Sequence, residues 1–253
     1  MVAAGVRTSA FTAACLGWLA LSTPVYAADT SLPAAAYMQH GLPDPARAWT
    51  PDQYEAVITT LAALPPEQLP HSASAASGAV MDRLVDAHSL ALCDDRATPL
   101  NDRFTKCLVE LNATARMMRL YITAYTQDHD RALDLARVTG LAVHAVSALS
   151  RLANELGPTV DPHAPDYATR MQGLAQMKEG AATTLRGTTT MISAVGEIPE
   201  DGRLLIAQAT VDEWPTLSGF MTPEGKAQVV TMLQDRATHD PNAQIRALLA
   251  PLH

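Results

Sequence analysis

Three basic side chains recur every seven residues in the middle of the chain, at Arg137, His144 and Arg151. On a helix this spacing aligns all three along one side, because two turns span about seven residues. Such a strip can pair with acidic groups of a neighbouring helix, for which Glu110 and Glu179 are candidates. It can also receive an anionic ligand, with the histidine as its pH-sensitive member. The sequence leaves both interpretations open.

Two short acidic segments contain histidine, a combination that can bind a metal or transfer a proton. The first holds Asp82, Asp86 and His88, and the second is the turn at residues 128–130, Asp-His-Asp. In the first segment, the two carboxylates share a helical face and the imidazole points away. The second has the composition of a helix start, where acids cap the chain. We therefore predict no metal site in either segment.

Two cysteines, Cys93 and Cys107, follow the N-terminal region. An even count in an oxidising compartment indicates a disulfide, and the alternative is a pair of reduced, buried thiols. A disulfide that closes a loop of about 15 residues stabilises a fold by about 3 kcal/mol in the chain-entropy description. We expect no metal at these cysteines, because no second pair of ligands follows at zinc-finger spacing.

The motifs of well-known active sites are absent from this sequence. It contains no G-x-S-x-G, no G-x-x-x-x-G-K-S/T, no H-E-x-x-H, no C-x-x-C-H and no Glu-x-x-His pair. The sequence therefore predicts no cofactor and favours a protein without catalytic activity. An enzyme of unrecognised type, with the basic strip as its best catalytic candidates, is kept as an alternative because catalytic groups converge from distant positions.

Three long segments carry apolar residues at alternating spacings of three and four, which is typical of helices that pack along one stripe. They cover residues 101–127, 130–156 and 166–196. The first stripe contains Phe104, Leu108, Leu111, Ala115, Met118, Ile122 and Tyr125. The second contains Leu135, Val138, Ala142, Ala145, Leu149, Leu152 and Leu156. The turn at residues 127–130 predicts that these two helices form an antiparallel hairpin.

The third segment repeats a glycine every seven residues, at Gly173, Gly180 and Gly187. Each glycine inside a helix costs about 1 kcal/mol relative to alanine, so the repeat needs a compensating role. We predict close packing against another helix, and the alternative is a flat wall for a ligand. Lys178 falls at a core position of the same repeat, so it is rotated out with Met177 inside, extends its charge past the core to solvent, or specifies register. It is also a candidate ligand-binding residue.

Shorter helices flank these segments. We expect helices at about 51–64, 74–92 and 200–213, a break at Trp214-Pro215, a helix that starts at Pro223, and a last one opened by Asp240-Pro241. No segment alternates in the way a β-strand does. The sequence thus predicts an all-α fold, a helical bundle built on three long heptad-patterned helices, within a single domain at residues 49–253.

The N-terminus has the composition of a secretory signal peptide at residues 1–27. A single charge at Arg7 precedes an apolar run at residues 10–21, and Val25-Tyr26-Ala27 fits a cleavage site. An uncleaved anchor is disfavoured because the run is shorter than the roughly 20 apolar residues a membrane span needs. We expect an irregular lead-in at residues 28–48, no transmembrane segment after cleavage, and a periplasmic or secreted protein.

The net charge of the chain argues against some classes of binding partner. The net charge of −8 becomes −9 when Arg7 is removed with the signal peptide, and a negative field disfavours nucleic acid and anionic membranes. The leading interpretation is a non-catalytic interaction or structural module that binds a protein partner or self-associates. The main alternative is a periplasmic binding protein for a small or amphipathic ligand, held beside the glycines and lined by methionines.

Overall fold

The described part of the chain is all-α, with helices and no strands, as the sequence predicts. A computed structural model describes residues 42–252 except 45 and 76, so the predicted signal peptide and most of the lead-in lie outside the described residues. Within this range there are eight α-helices and no strand. The helices are α1 (Pro51–Ala62), α2 (Gly78–Leu84), α3 (Leu100–Gln127), α4 (Ala132–Leu156), α5 (Tyr167–Ser193), α6 (Glu200–Phe220), α7 (Pro223–His239) and α8 (Ala243–Leu249).

Two of the predicted helix starts have the expected capping chemistry. The Thr50 side chain accepts a hydrogen bond from the Gln53 amide, and the Gln53 side chain accepts one from the Thr50 amide, which completes a capping box. The Thr222 hydroxyl accepts a bond from the Gly225 amide at the start of α7. Helices α1 and α7 therefore begin where local sequence directs them.

Helix α4 is the centre of the bundle. It packs against α3, α5 and α6, and it is buried on almost every side. The segment His129–Thr159 is long and apolar enough to cross a membrane by length and composition, yet most of it is buried inside the fold. An apolar helix that other helices surround is the expected core of a helical protein.

The predicted helix at residues 74–92 is wrong in its extent. Helix α2 ends at Leu84, and a 3₁₀ segment follows at Ala87–Asp94. Asp86 adopts an extended backbone, and its side chain accepts a bond from the His88 amide. An aspartate that caps a new turn competes with continuation of the helix, which explains the break.

The predicted break at Trp214-Pro215 is also wrong, because α6 runs through it to Phe220. Proline removes one helical hydrogen bond and normally kinks or ends a helix. Here the following turns bury Leu217 and Phe220 almost completely, and Trp214 is 7% exposed. Tertiary packing therefore outweighs the local cost. The last helix is capped by Asn242 and starts at Ala243, slightly later than predicted.

The most completely buried side of α3 includes polar residues. Its members follow one another by three or four positions: Cys107, Glu110, Thr114, Met117 and Tyr121. The uncharged stripe expected from the sequence lies beside this face, and its members Phe104 and Leu108 are only half-buried. Part of the apolar surface of α3 is thus left without a packing helix.

At two of its three positions, the glycine repeat makes no close contact with another described helix. Among the described residues, a Cβ atom at Gly173 or Gly187 would meet no other heavy atom within 4 Å, so neither glycine marks a close approach to another described helix. The middle member, Gly180, lines the pocket described below. The compensation for these glycines is therefore not helix packing at Gly173 and Gly187.

Close helix approach occurs at other glycines. A Cβ atom at Gly225 would lie 2.8 Å from the Cβ atom of Ala182, which joins α7 to α5. A Cβ atom at Gly140 would lie 2.8 Å from a methyl group of Leu205, where α4 meets α6. Only a residue without a side chain fits at 2.8 Å unless the neighbour moves.

Candidate functional site

An apolar pocket of about 750 Å³ lies between α3, α4 and α5. Its size falls within the range of about 300–1,000 Å³ that is usual for ligand pockets. Helix α3 contributes five lining residues: Asn101, Phe104, Thr105, Leu108 and Leu111. Helix α4 and the turn after it contribute Val146, Leu149, Ser150, Ala153, Leu156, Gly157 and Val160. Helix α5 and the end of α6 contribute Arg170, Met171, Gly173, Leu174, Gln176, Met177, Glu179, Gly180, Thr183 and Phe220.

The pocket exists because apolar stripes of three helices converge without filling the space between them. Phe104 and Leu108 of α3 are half-buried and face it, together with Leu149 of α4. On the α5 side, Gly173 and Gly180 line the wall, and a Cβ atom at Gly173 would meet nothing within 4 Å. Two members of the glycine repeat, Gly173 and Gly180, thus form part of the pocket wall.

Flexible side chains complete the α5 wall. Met171 and Met177 line the pocket, and methionine adapts its shape to varied apolar partners. Phe220 closes it from the end of α6 and is 1% exposed. The methionine wall on α5 can therefore adapt its shape, whereas Phe220 at the end of α6 is fixed by its burial.

Charged groups are few and lie on α5. The Arg170 Nε donates to Asp166 at 2.7 Å, and both side chains are about half exposed. Lys178 Nζ lies 5.9 Å from the centroid of the Phe220 ring, within the range of a cation–π contact. Lys178, a ligand-binding candidate from the sequence, does not line the pocket itself but contacts Phe220, which does.

The basic strip of α4 is engaged by carboxylates from three other elements. Arg137 Nη2 donates to Asp82 at 2.6 Å, and Arg151 Nη2 donates to Asp94 at 2.9 Å. His144 Nδ1 lies 2.7 Å from Glu213 Oε1. The strip is therefore a series of ion pairs, but its partners are not the expected Glu110 and Glu179. None of its three members lines the apolar pocket.

The contact between His144 and Glu213 affects the titration of the carboxyl group. Burial by itself raises the pKa of Glu213, but hydrogen bonds to His144 and Ser147 and the charges of His144 and Arg151 together outweigh burial, so the pKa lies below its ordinary value. A neighbouring imidazole that can carry a positive charge favours the ionised form of a carboxyl group. The pair joins α4 to α6 and has no position in the apolar pocket.

The two histidine-containing acidic segments have capping and pairing roles. Asp86 caps the 3₁₀ segment through the His88 amide, and Asp82 is paired with Arg137. The Asp128 side chain accepts a bond from the Asp130 amide. These contacts account for the acidic residues without a metal.

A buried network that sequence reasoning missed ties the loop before α2 to α4. Asp134 has no exposed surface and accepts hydrogen bonds from His71 Nδ1 at 2.7 Å and from the Ser72 amide at 2.8 Å. Arg131 lies 3.5 Å from the same carboxylate and donates to the Leu69 and Pro70 carbonyls. Asp134 lies in the first turn of a long apolar helix, where acidic residues are common. Nothing in the sequence indicated that a distant loop would bury it.

The second missed group is Glu110, which lies beside the cysteine pair. The sulfur atoms of Cys93 and Cys107 are at disulfide-bonding distance, with Cα atoms 5.1 Å apart. Glu110 Oε2 lies 3.1 Å from Cys93 Sγ, and Glu110 has no exposed surface. Burial raises the pKa of Glu110 to about 8. The sequence did contain one indication that Glu110 lies beside the cysteines. Cys107 and Glu110 are three residues apart, and residues with this spacing share a helical face.

A larger cleft of about 1070 Å³ opens near the start of α6 and α8, with His71, His129 and Arg203 in its lining. The buried charges beside it are already paired: Arg203 is bound to the buried Asp240, and His71 to Asp134. The other charged lining residues, Asp130, Glu197 and Glu200, are acidic, so the cleft has little to offer an anionic ligand. The apolar pocket is therefore the stronger candidate site.

The chain matches no protein-family profile, no curated protein and no solved structure. Its function has to follow from its own geometry. That geometry defines an all-α bundle with a ligand-sized apolar pocket among its three longest helices.

Proposed function

We propose that this protein is an exported, non-catalytic binding module whose pocket between α3, α4 and α5 takes a single-chain amphipathic ligand. The observation that carries the proposal is the apolar pocket of about 750 Å³ lined by residues of three long helices. Apolar walls with a few polar groups at the edge are characteristic of small-molecule sites. Export is supported by the buried cysteine pair at disulfide distance, since disulfides persist in oxidising compartments.

The charges near the pocket favour an anionic head group. Arg170 lines the pocket, and its guanidinium has N–H donors beyond the Nε that Asp166 engages. Lys178 adds a second positive charge beside Phe220. The acidic lining residue Glu179 is paired with Arg186 at 2.8 Å. A fatty-acid-like monoanion satisfies both the apolar wall and these cations.

The interaction-module interpretation has less support. A surface that binds a macromolecule usually exposes an apolar patch of several hundred Å². Within residues 42–252, the exposed large hydrophobic side chain is Val195, at 54% exposure. One residue does not make such a patch. Binding to a protein partner or self-association therefore ranks second to ligand binding.

Ligand-induced stabilisation tests the proposed function. A ligand that binds only the folded state at 100 times its Kd adds about 2.7 kcal/mol of stability, which corresponds to roughly 5–10 °C in Tm for a chain of this size. We expect a long-chain fatty acid below its micelle concentration to produce such a shift. The uncharged alcohol of the same chain length should produce a smaller one.

Two results would change the conclusion. An equal shift with the alcohol removes the role of Arg170 and Lys178 but keeps the pocket. No shift with either compound, together with a stable complex between copies of the chain or with a co-purified protein, favours the interaction module.

A further inference from the structure

Three potential metal ligands meet in the core, apart from the apolar pocket. Cys93 comes from the 3₁₀ segment Ala87–Asp94, while Cys107 and Glu110 share the buried face of α3. Their sulfur and carboxylate oxygen atoms all lie within 4.8 Å of one another. The exposed fractions are 1%, 1% and 0%. Two distant elements thus deliver three ligand atoms to one buried point.

The carboxyl group of Glu110 is not satisfied by the protein around it. Its Oε1 has no hydrogen-bond partner, and the contact of its Oε2 is with Cys93 Sγ. A disulfide sulfur carries no proton to donate, so a disulfide leaves this carboxyl without a donor. A buried, unpartnered carboxyl is costly, and an ion is one of the recognised explanations for such a group.

We propose that Cys93, Cys107 and Glu110 bind one Zn²⁺ ion whenever the two cysteines are reduced. Thiolate sulfur and carboxylate oxygen are both common ligands of zinc, at about 2.3 Å and 2.0–2.2 Å. Ligand atoms around a tetrahedral ion at these distances lie about 3.5–3.8 Å apart. Sulfur ligands select against Ca²⁺ and Mg²⁺, which prefer oxygen. The fourth position is left to a water molecule.

The metal site and the disulfide exclude each other. A phosphine reductant supplies the two electrons that break the S–S bond and becomes a phosphine oxide, with its oxygen taken from water, and the two sulfurs take up two protons. Zn²⁺ then displaces the protons of both thiols and any proton on the Glu110 carboxyl, because these groups bind a metal in their deprotonated forms. Zinc affinity therefore rises with pH. An azodicarboxamide oxidant takes two electrons from the thiolates and two protons from solvent to become the hydrazine, and the disulfide that forms releases the ion.

An ion can enter this buried site by local opening of the segment that contains Cys93. Cys93 lies in a 3₁₀ segment, which has poorer hydrogen-bond geometry than an α-helix. We expect local opening of this segment to admit the ion. Entry of an ion requires only this opening.

The test is a Zn²⁺ titration of the untagged, phosphine-reduced protein against a chromophoric chelator under anaerobic conditions. We expect one ion per chain that is absent from the oxidised protein and from the Cys93→Ser/Cys107→Ser variant. Glu110→Gln keeps the side-chain shape and should weaken binding more than tenfold, because even outer-shell changes typically cost about 10- to 100-fold. Glu224→Gln, an exposed carboxylate on α7, is the matched control and should bind as the natural protein does.

A second measurement needs no substitution. Zn²⁺ should slow the alkylation of both cysteines in the reduced natural protein, because bound thiolates are not free to react. Equal alkylation rates with and without Zn²⁺ would overturn the proposal. Equal affinity of Glu110→Gln and the natural protein, or retention of the ion by the serine variant, would overturn it as well.

Discussion

Buried ionisable side chains lie at several of the contacts between elements of this protein. Asp134, Arg203 and Glu110 are each almost fully buried, and the first two have charged partners. Their types were visible in the sequence, but their burial was not. Burial of a charge depends on which distant residue supplies the partner, and no local pattern encodes that residue.

The Asp134 network makes a prediction about stability. Asp134→Asn removes the charge that faces Arg131 and replaces an acceptor of the Ser72 amide with a group that can also donate. Breaking a buried charged network of this kind typically costs about 3–5 kcal/mol. Urea unfolding monitored by circular dichroism would measure the loss.

The matched control is Asp82→Asn, because Asp82 is exposed and pairs with Arg137 at the surface. Exposed pairs contribute about 0–1 kcal/mol, so this variant should unfold close to the natural protein. Similar losses for both variants would mean that burial of the Asp134 network contributes nothing.

The pair of His144 and Glu213 makes a prediction about acid stability. Because the pKa of Glu213 is lowered in the fold from the ordinary value of 4.5, its contribution to stability is present above about pH 4.5 and is lost as the pH falls further. His144→Gln should raise the pKa of Glu213. The free energy of unfolding of this variant should then fall less steeply with decreasing pH.

Unfolding midpoints in urea between about pH 3 and pH 6 would measure that slope. His163, an exposed residue outside the helices, provides the control substitution His163→Gln, which should leave the acid slope unchanged. Parallel slopes for His144→Gln and the natural protein would contradict the assigned coupling.

At the scale of elements, local chemistry located most helix starts, and tertiary contacts decided several helix ends. The capping box at Thr50 and the Thr222 cap follow from a few adjacent residues. The passage of α6 through Pro215 depends on the burial of Leu217 and Phe220 in the core. A sequence shows the local cost of a proline, but it does not show the packing that outweighs it.

The glycines provide the element-scale prediction. Gly187→Ala should raise the free energy of unfolding by up to about 1 kcal/mol, because its Cβ atom meets nothing within 4 Å and alanine is the better helix former. Gly225→Ala should lower it by about 1–3 kcal/mol, because the new Cβ atom would lie 2.8 Å from that of Ala182.

Chemical unfolding of both variants under the same conditions would measure the two changes in the free energy of unfolding. The comparison is internal, since both change a helical glycine to alanine. A loss of stability in Gly187→Ala would indicate that this glycine meets a surface outside the chain, such as a second copy.

At the scale of the whole molecule, the sequence predicted the class of fold and the three long helices but not the space between them. The stripe of α3 predicted a packing surface, and part of it, at Phe104 and Leu108, faces a pocket instead. Periodicity reports which face is apolar. It does not report whether a neighbouring helix lies close enough to cover that face, because this depends on how all the helices cross.

The most direct test of the account is ligand affinity in two variants of the glycine repeat. Gly173 and Gly187 both have open space around a Cβ atom, but only Gly173 lines the pocket. Leucine at either position favours the helix equally. Calorimetric titration with a long-chain fatty acid should therefore show natural affinity for Gly187→Leu and at least about tenfold weaker binding for Gly173→Leu, a difference of about 1.4 kcal/mol. Equal affinity of the two variants would contradict the assignment of the pocket as the binding site.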